Sequence, residues 1–271
     1  MEPLITSEVH EALLAARADG SATIECSLDL QQSVTRVEVG RETWSADGRS
    51  FPYLEVCRER TIYQWDGAAF RPLARYGRAL VKLVPTPWGP PTFEIDGIKM
   101  LPSARLSPLE DAARKVELIE PRAARILDTC GGLGYFAAWC LRLGAGEVWS
   151  YEKNPDVIWL RRANPWSPRD DARLHLIEGD VAEHIGGRPA ASVDAILHDP
   201  PRFGIAGELY SRAFYDQLAR VLRRKGKLFH YTGSPNRLSR GRDLPGEVAR
   251  RLTAAGFDTE RHGDGVLAIR R

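Results

Sequence analysis

The run His198-Asp199-Pro200-Pro201-Arg202-Phe203 follows the apolar segment 193–197, which reads as a buried strand. Each proline lacks an N–H and fixes its own φ, and Pro201 also restricts Pro200 before it. The strand must therefore end in a rigid kink. That kink projects the Asp199 carboxylate and carbonyls with no competing N–H. Ligands of open α/β sheets bind at this end of the strands. Such a rim can accept two hydrogen bonds from an –NH2 group and hold it still for reaction.

A second constellation lies upstream. Asp128-Thr129-Cys130-Gly131-Gly132-Leu133-Gly134 joins the short apolar strand 125–128 to an apolar-rich helix at 135–143. The glycines let backbone approach a ligand closely. No Gly-Lys-Ser/Thr is present, which excludes a P-loop, and the Asp128 carboxylate would repel a pyrophosphate. It suits a cationic or hydroxyl-bearing ligand instead. The next strand, 147–151, ends in Glu152, twenty-four residues after Asp128. An acid there can take both hydroxyls of a ribose, or be a solvated loop residue. The third strand, Leu174–Glu178, leads to Gly179-Asp180-Val181. Asp180 could accept from an adenine amino group or serve as a helix N-cap. With Asp199 ending the fourth strand, four successive strands carry an acid at their carboxyl ends.

The order DTCGGLG, YEKNP, IEGD and DPPRF resembles that of class I S-adenosylmethionine-dependent methyltransferases over about residues 106–271. The runs NPWS, GELYS, LFHY and GRD are similar to a mainly archaeal group of predicted methyltransferases. The resemblance implies S-adenosylmethionine as cofactor, with Asp128, Gly131, Gly132 and Gly134 against its methionine part and Thr129 and Cys130 as further cofactor-binding residues. Glu152 would hold the ribose and Asp180 with Val181 the adenine, with Lys153 a further cofactor-binding residue. Asp199, Pro200, Pro201 and Phe203 would form the methyl-transfer site. Asp-Pro-Pro is similar to the (Asp/Asn)-Pro-Pro-aromatic motif of amino-methyltransferases. Here Arg202 stands in the aromatic's place and Phe203 follows it.

The positioning elements follow from patterning. A helix at 106–120 leads into the first strand. Tyr210, Phe214, Leu218 and Leu222 recur at i+4 as the buried face of a helix, leaving Tyr215 off the stripe to face the site. Segment 228–231 is a fifth strand, 245–255 a helix, and 257–262 with 266–269 a closing antiparallel pair. The expected fold is thus α/β: a Rossmann-like domain with a seven-stranded, mostly parallel sheet. A smaller β-rich domain, residues 1–105, precedes it, with strands at 22–28, 34–39, 51–56, 61–65, 70–73 and 79–84. A helix at 2–18 opens it, and the proline-rich stretch 84–91 reads as a stiff extended linker. This domain serves substrate binding or an interface.

Composition bounds the rest. The 271 residues are 43% hydrophobic and 27% charged, an ordinary globular balance with no apolar run long enough to span a membrane. The acidic N-terminus lacks a signal pattern. Four cysteines occur in no metal-ligand spacing, so a reduced, cytoplasmic protein without metal is expected. Net charge is only +2, yet residues 222–271 hold twelve Lys/Arg against five Asp/Glu. Arg237, Arg240 and Arg242 follow the fifth strand, toward the rim that carries Arg202. With Tyr215 they are the candidate substrate-binding residues. A basic rim suits a phosphate-bearing partner, making RNA (ribosomal or transfer) the expected substrate and an exocyclic base amine the acceptor. The alternatives are methyl or aminopropyl transfer to a small amine or protein side chain, and a non-catalytic RNA-binding protein.

Overall fold

A computed structural model describes residues 2–233 and 243–271. The chain divides into two compact units, residues 1–108 with 159–166, and residues 109–158 with 167–271.

The first unit is β-rich. Strand β1 (Leu4–Ile5) precedes helix α1 (Ser7–Asp19), which Thr6 caps through its side chain and Gly20 ends at φ 71°. Strands β2 (Thr23–Cys26), β3 (Thr35–Val39), β4 (Thr43–Ala46) and β5 (Arg49–Pro52) form an antiparallel meander. Strands β6 (Tyr63–Trp65) and β7 (Phe70–Pro72) join β1. Strands β8 (Ala74–Tyr76), β9 (Leu80–Val84), β10 (Thr92–Ile95) and β11 (Ile98–Lys99) make a third sheet. Trp44, Phe51, Trp65 and Phe70 pack ring on ring in its core, with centroids 4.6–6.0 Å apart.

Three elements differ from the expectation. The proline-rich stretch is not a linker. It is the loop of a hairpin, because Thr92 pairs with Val84 across it. The opening helix starts only at Ser7, since Leu4 and Ile5 pair with Gln64 and Tyr63. The strand expected at 51–56 is instead Arg49–Pro52, where the Asp47-Gly48 turn sets the β4–β5 register.

The second unit is the α/β domain. Its elements are α2 (Pro108–Leu118), β12 (Arg125–Asp128), α3 (Tyr135–Arg142), β13 (Glu147–Glu152), the start of α4 (Pro155–Ala163, which passes into the first unit at Trp159), β14 (Leu174–Glu178) and α5 (Val181–His184). There follow β15 (Val193–His198), α6 (Arg212–Val221), β16 (Leu222–Tyr231), α7 (Leu244–Ala254), β17 (Phe257–His262) and β18 (Gly265–Arg270). The seven strands run in the order β14-β13-β12-β15-β16-β18-β17. All pairs are parallel except those of β18. The fifth strand begins six residues earlier than expected. Its charged start pairs with β15 and bulges through Lys225 at φ 59°.

Register sets the site. Asp128 lies opposite Ser150 on one side and Leu197 on the other, Glu152 opposite Glu178, and His198 opposite His230. The carboxyl ends of β12, β13, β14, β15 and β16 therefore form one edge. Burial of Leu127, Ile196, Phe214, Leu218, Leu228 and Phe257 between sheet and helices fixes that edge.

Candidate active site

Asp128 ends β12 fully buried, its Oδ2 accepting the Ser150 hydroxyl at 2.8 Å. The chain then turns across the strand ends. Gly132 and Gly134 sit at φ 49° and 82°, which glycine adopts without strain. The Gly134 N–H donates to the Gly131 carbonyl at 2.7 Å and closes the turn, while the Gly131 N–H ties it to the Tyr151 carbonyl at 2.7 Å. Glu152 braces the same loop: Oε2 accepts the Gly132 N–H at 3.0 Å and Oε1 the Asn154 N–H at 2.9 Å. Lys153 Nζ lies 3.1 Å from Asp180 Oδ2. Asp180 Oδ1 accepts the Ala182 N–H at 2.9 Å and caps α5, beside buried Val181. The glycine loop and these acids thus share one edge. They offer a negatively charged cradle of backbone and carboxylates, suited to a ligand with hydroxyls and positive charge. Cys130 stands in the loop, and burial pushes its thiol well up, so it is no nucleophile near neutral pH.

Asp199 lies just past β15. Its carboxylate makes no hydrogen bond among the described residues. Burial raises its pKa to about 7, Lys115 opposes that rise, and Asp111, Asp128 and Asp264 add to it. Lys115 is itself buried, 4% exposed. Its Nζ lies 2.5 Å from Asp111 Oδ2 and 3.6 Å from the centroid of the Tyr231 ring. Asp199 thus feels the charge of one buried cation and three further carboxylates. Sequence reading missed Lys115, Asp111, Tyr231 and Asp264. The i, i+4 spacing of Asp111 and Lys115 on α2 was the available signal. Replacing Lys115 with Met should move the acid limb of the pH–rate profile upward, because Asp199 loses its cation. The same limb in wild type and variant would count against that coupling.

Next to Asp199, the imidazoles of His198 and His230 meet edge to face at 4.4 Å. His198 Nε2 lies 3.1 Å from the Leu209 carbonyl and Nδ1 2.7 Å from the Thr129 hydroxyl. The carbonyl can only accept, so Nε2 carries the proton and Nδ1 accepts from Thr129. By the same reasoning His230 Nδ1 donates to the Tyr231 carbonyl at 2.9 Å, and Nε2 accepts the Tyr215 hydroxyl at 2.9 Å. Burial holds His198 well below the ordinary range and His230 at about 4, so both stay neutral. Tyr215 is fully buried in this network and does not reach an open rim.

On the Asp-Pro-Pro loop, Pro200 is buried and the Pro201 carbonyl accepts the Tyr210 hydroxyl at 3.1 Å. Phe203 is half-buried and meets Tyr210 edge-on at 5.4 Å, while Arg202 is exposed. Arg237, Arg240 and Arg242 lie outside the described residues. Among the described residues there is no group of three or more potential metal ligands, and no helix is long and apolar enough to cross a membrane.

The strand order, glycine loop and acidic strand ends together define the class I S-adenosylmethionine-dependent methyltransferase fold. Spermidine synthase from Thermotoga maritima shares it, with a TM-score of 0.54 at 17% identity over 73% of this chain and 71% of that one. The chain belongs to the same family as an uncharacterized protein of Methanocaldococcus jannaschii. The two are 40% identical over 206 residues, 75% of this chain and 70% of the relative. A polyamine aminopropyltransferase of Streptomyces coelicolor is 33% identical over 119 residues, 41% of this chain but only 22% of that protein. No family model matches the chain.

Proposed function

We propose that this protein is an S-adenosylmethionine-dependent methyltransferase that modifies an amine nitrogen held at Asp199, and that the amine is an exocyclic base amine in RNA. The observation that carries the reading is a carboxyl with a pKa of about 7 on a proline-locked loop, along the same sheet edge as the glycine loop. Asp128, Gly131, Gly132 and Gly134 would hold the methionine part of S-adenosylmethionine, Glu152 the ribose, and Asp180 with Val181 the adenine. The cofactor supplies an electrophilic methyl on a sulfonium.

The chain's own residues do the rest. The lone pair of a conjugated amine is delocalised into its ring. Hydrogen bonds from that amine to Asp199 and to the Pro200 carbonyl favour a pyramidal nitrogen and aim the lone pair. A carboxylate titrating near 7 can also take the proton that the nitrogen releases, which an ordinary aspartate does poorly. We assign base stacking to Phe203, packing to Tyr215, and substrate binding or an interface to the N-terminal unit. The base must be single-stranded or flipped out.

A second reading has its own support. Asp111, Asp128 and Asp264 beside Asp199 suit a cationic aliphatic amine, the acceptor class that aminopropyl transfer uses. Label transfer separates the two. Methyl-tritiated S-adenosylmethionine is incubated with RNA, protein and small-molecule fractions from cells lacking the protein, followed by nucleoside mass spectrometry. Label on a base nitrogen is the expected result. Methyl label on an aliphatic amine would replace the RNA reading with amine methylation. Transfer from decarboxylated S-adenosylmethionine labelled in its aminopropyl group, tested in parallel because the methyl stays on sulfur in that reaction, would replace it with aminopropyl transfer.

A further inference from the structure

Helices α6 and α7 carry a second feature, away from the sheet edge. A cavity of about 340 Å³ is lined by Arg212, Glu247, Arg250, Arg251 and Ala254. Three arginines line it against one glutamate, so the charged residues around it are mainly cationic. Such a cavity is large enough for a small polar ligand.

Two ion pairs account for part of the charge: Arg212 with Asp216 at 2.8 Å, and Arg251 with Glu247 at 3.9 Å. Arg251 is oriented as well as paired. Arg251 Nη1 donates to the Tyr210 carbonyl at 2.7 Å, and its guanidinium carbon lies 6.0 Å from the Phe203 ring centroid. Tyr210 in turn donates its hydroxyl to the Pro201 carbonyl at 3.1 Å. Arg251 is therefore held on one side by a carbonyl and on the other by an aromatic face. Its cavity lies one side chain from the Asp-Pro-Pro-Arg-Phe loop. Planar guanidinium forks match phosphate oxygens in pairs, and an anion between them relieves their mutual repulsion.

We infer that this cavity is a phosphoryl-binding subsite, taking a phosphodiester of the substrate strand that flanks the reacting base. The assignment of that phosphoryl group to RNA rests on the function proposed above; the binding of phosphate does not. A free phosphorylated compound would present the same chemistry.

Two arms on the full-length protein test it. The first titrates inorganic pyrophosphate and follows its phosphorus NMR linewidth. The second measures binding of a short single-stranded RNA of mixed sequence across salt concentrations. Both compare wild type with the double variant Arg212→Glu/Arg250→Glu and with the control Arg224→Glu, a charge reversal at the exposed start of β16. Circular dichroism checks that each variant is folded. The double variant should abolish the pyrophosphate broadening. It should also weaken RNA binding about tenfold and lower the salt slope by about one, as expected for losing one or two phosphate contacts. The control should resemble wild type. Arginine-dependent pyrophosphate binding without RNA binding would keep the subsite and remove RNA as its source. Unchanged pyrophosphate and RNA binding in the double variant, an equal loss in the control, or no binding of either probe to wild type would overturn the subsite.

Discussion

Asp199→Ala should lower methyl transfer by at least about a thousandfold while S-adenosylmethionine affinity changes less than about threefold. Alanine removes both the acceptor for the amine and the group that can take its proton, whereas Asp199→Asn keeps one acceptor oxygen and should lose less. Isothermal titration with the cofactor and a single-turnover rate measure the two quantities separately. Wild-type-like turnover would remove Asp199 from its role. In wild type, kcat/KM should rise with pH and level off above about 7, since the carboxylate form is required. Neither buried histidine adds a limb near neutrality, because both are already neutral there. Stability runs the other way. The folded-state pKa is raised from 3.8 to about 7, so the contribution of this group is complete below 3.8 and is lost as pH rises to about 7. The asparagine variant should therefore melt several degrees above wild type at pH 8, with the difference vanishing near pH 4. The group that the chemistry needs charged is one that the fold would keep neutral.

Glu152→Ala should weaken S-adenosylmethionine binding about thirtyfold or more, with folding retained. Two losses combine. The ribose would lose a carboxylate acceptor, and the glycine loop would lose the brace at Gly132 while Asn154 loses its acceptor at the start of α4. Hydrogen bonds to a charged group contribute about 1.5–3 kcal/mol each. Glu152→Gln keeps an acceptor for one N–H and should fall between the two. Calorimetric titration gives the affinities, and an unchanged value for the alanine variant would dissociate Glu152 from the cofactor.

The α/β domain was legible because its signals are local. Strands 125–128 and 174–178 end at residues that also end their apolar patterns, and glycine and proline mark the turns at Gly134 and Pro200. The acids Asp128, Glu152, Asp180 and Asp199 could be placed at strand ends for the same reason. The surroundings of Asp199 were not legible. A lysine four residues after an aspartate ordinarily reads as a solvated helix pair, and only tertiary packing buries Asp111 and Lys115. Nor could the sequence distinguish a linker from a hairpin loop at 84–91. Prolines dictate extended backbone in both, and the difference lies in whether Val84 finds Thr92. Tyr215 fell off the apolar stripe yet is buried, because His230 supplies the hydrogen bond that its hydroxyl needs inside a core.

Ser150, Asp128, Thr129, His198, His230 and Tyr215 form a line of polar side chains from β13 to α6 through an otherwise apolar interior. Apolar packing alone tolerates many alignments of neighbouring valine- and leucine-rich strands. This line does not. Sliding β16 by one residue would turn His230 to the opposite face, taking it from His198 and stranding the Tyr215 hydroxyl without water. The seam therefore acts as an alignment key, rejecting misregistered sheets that hydrophobic burial by itself would accept.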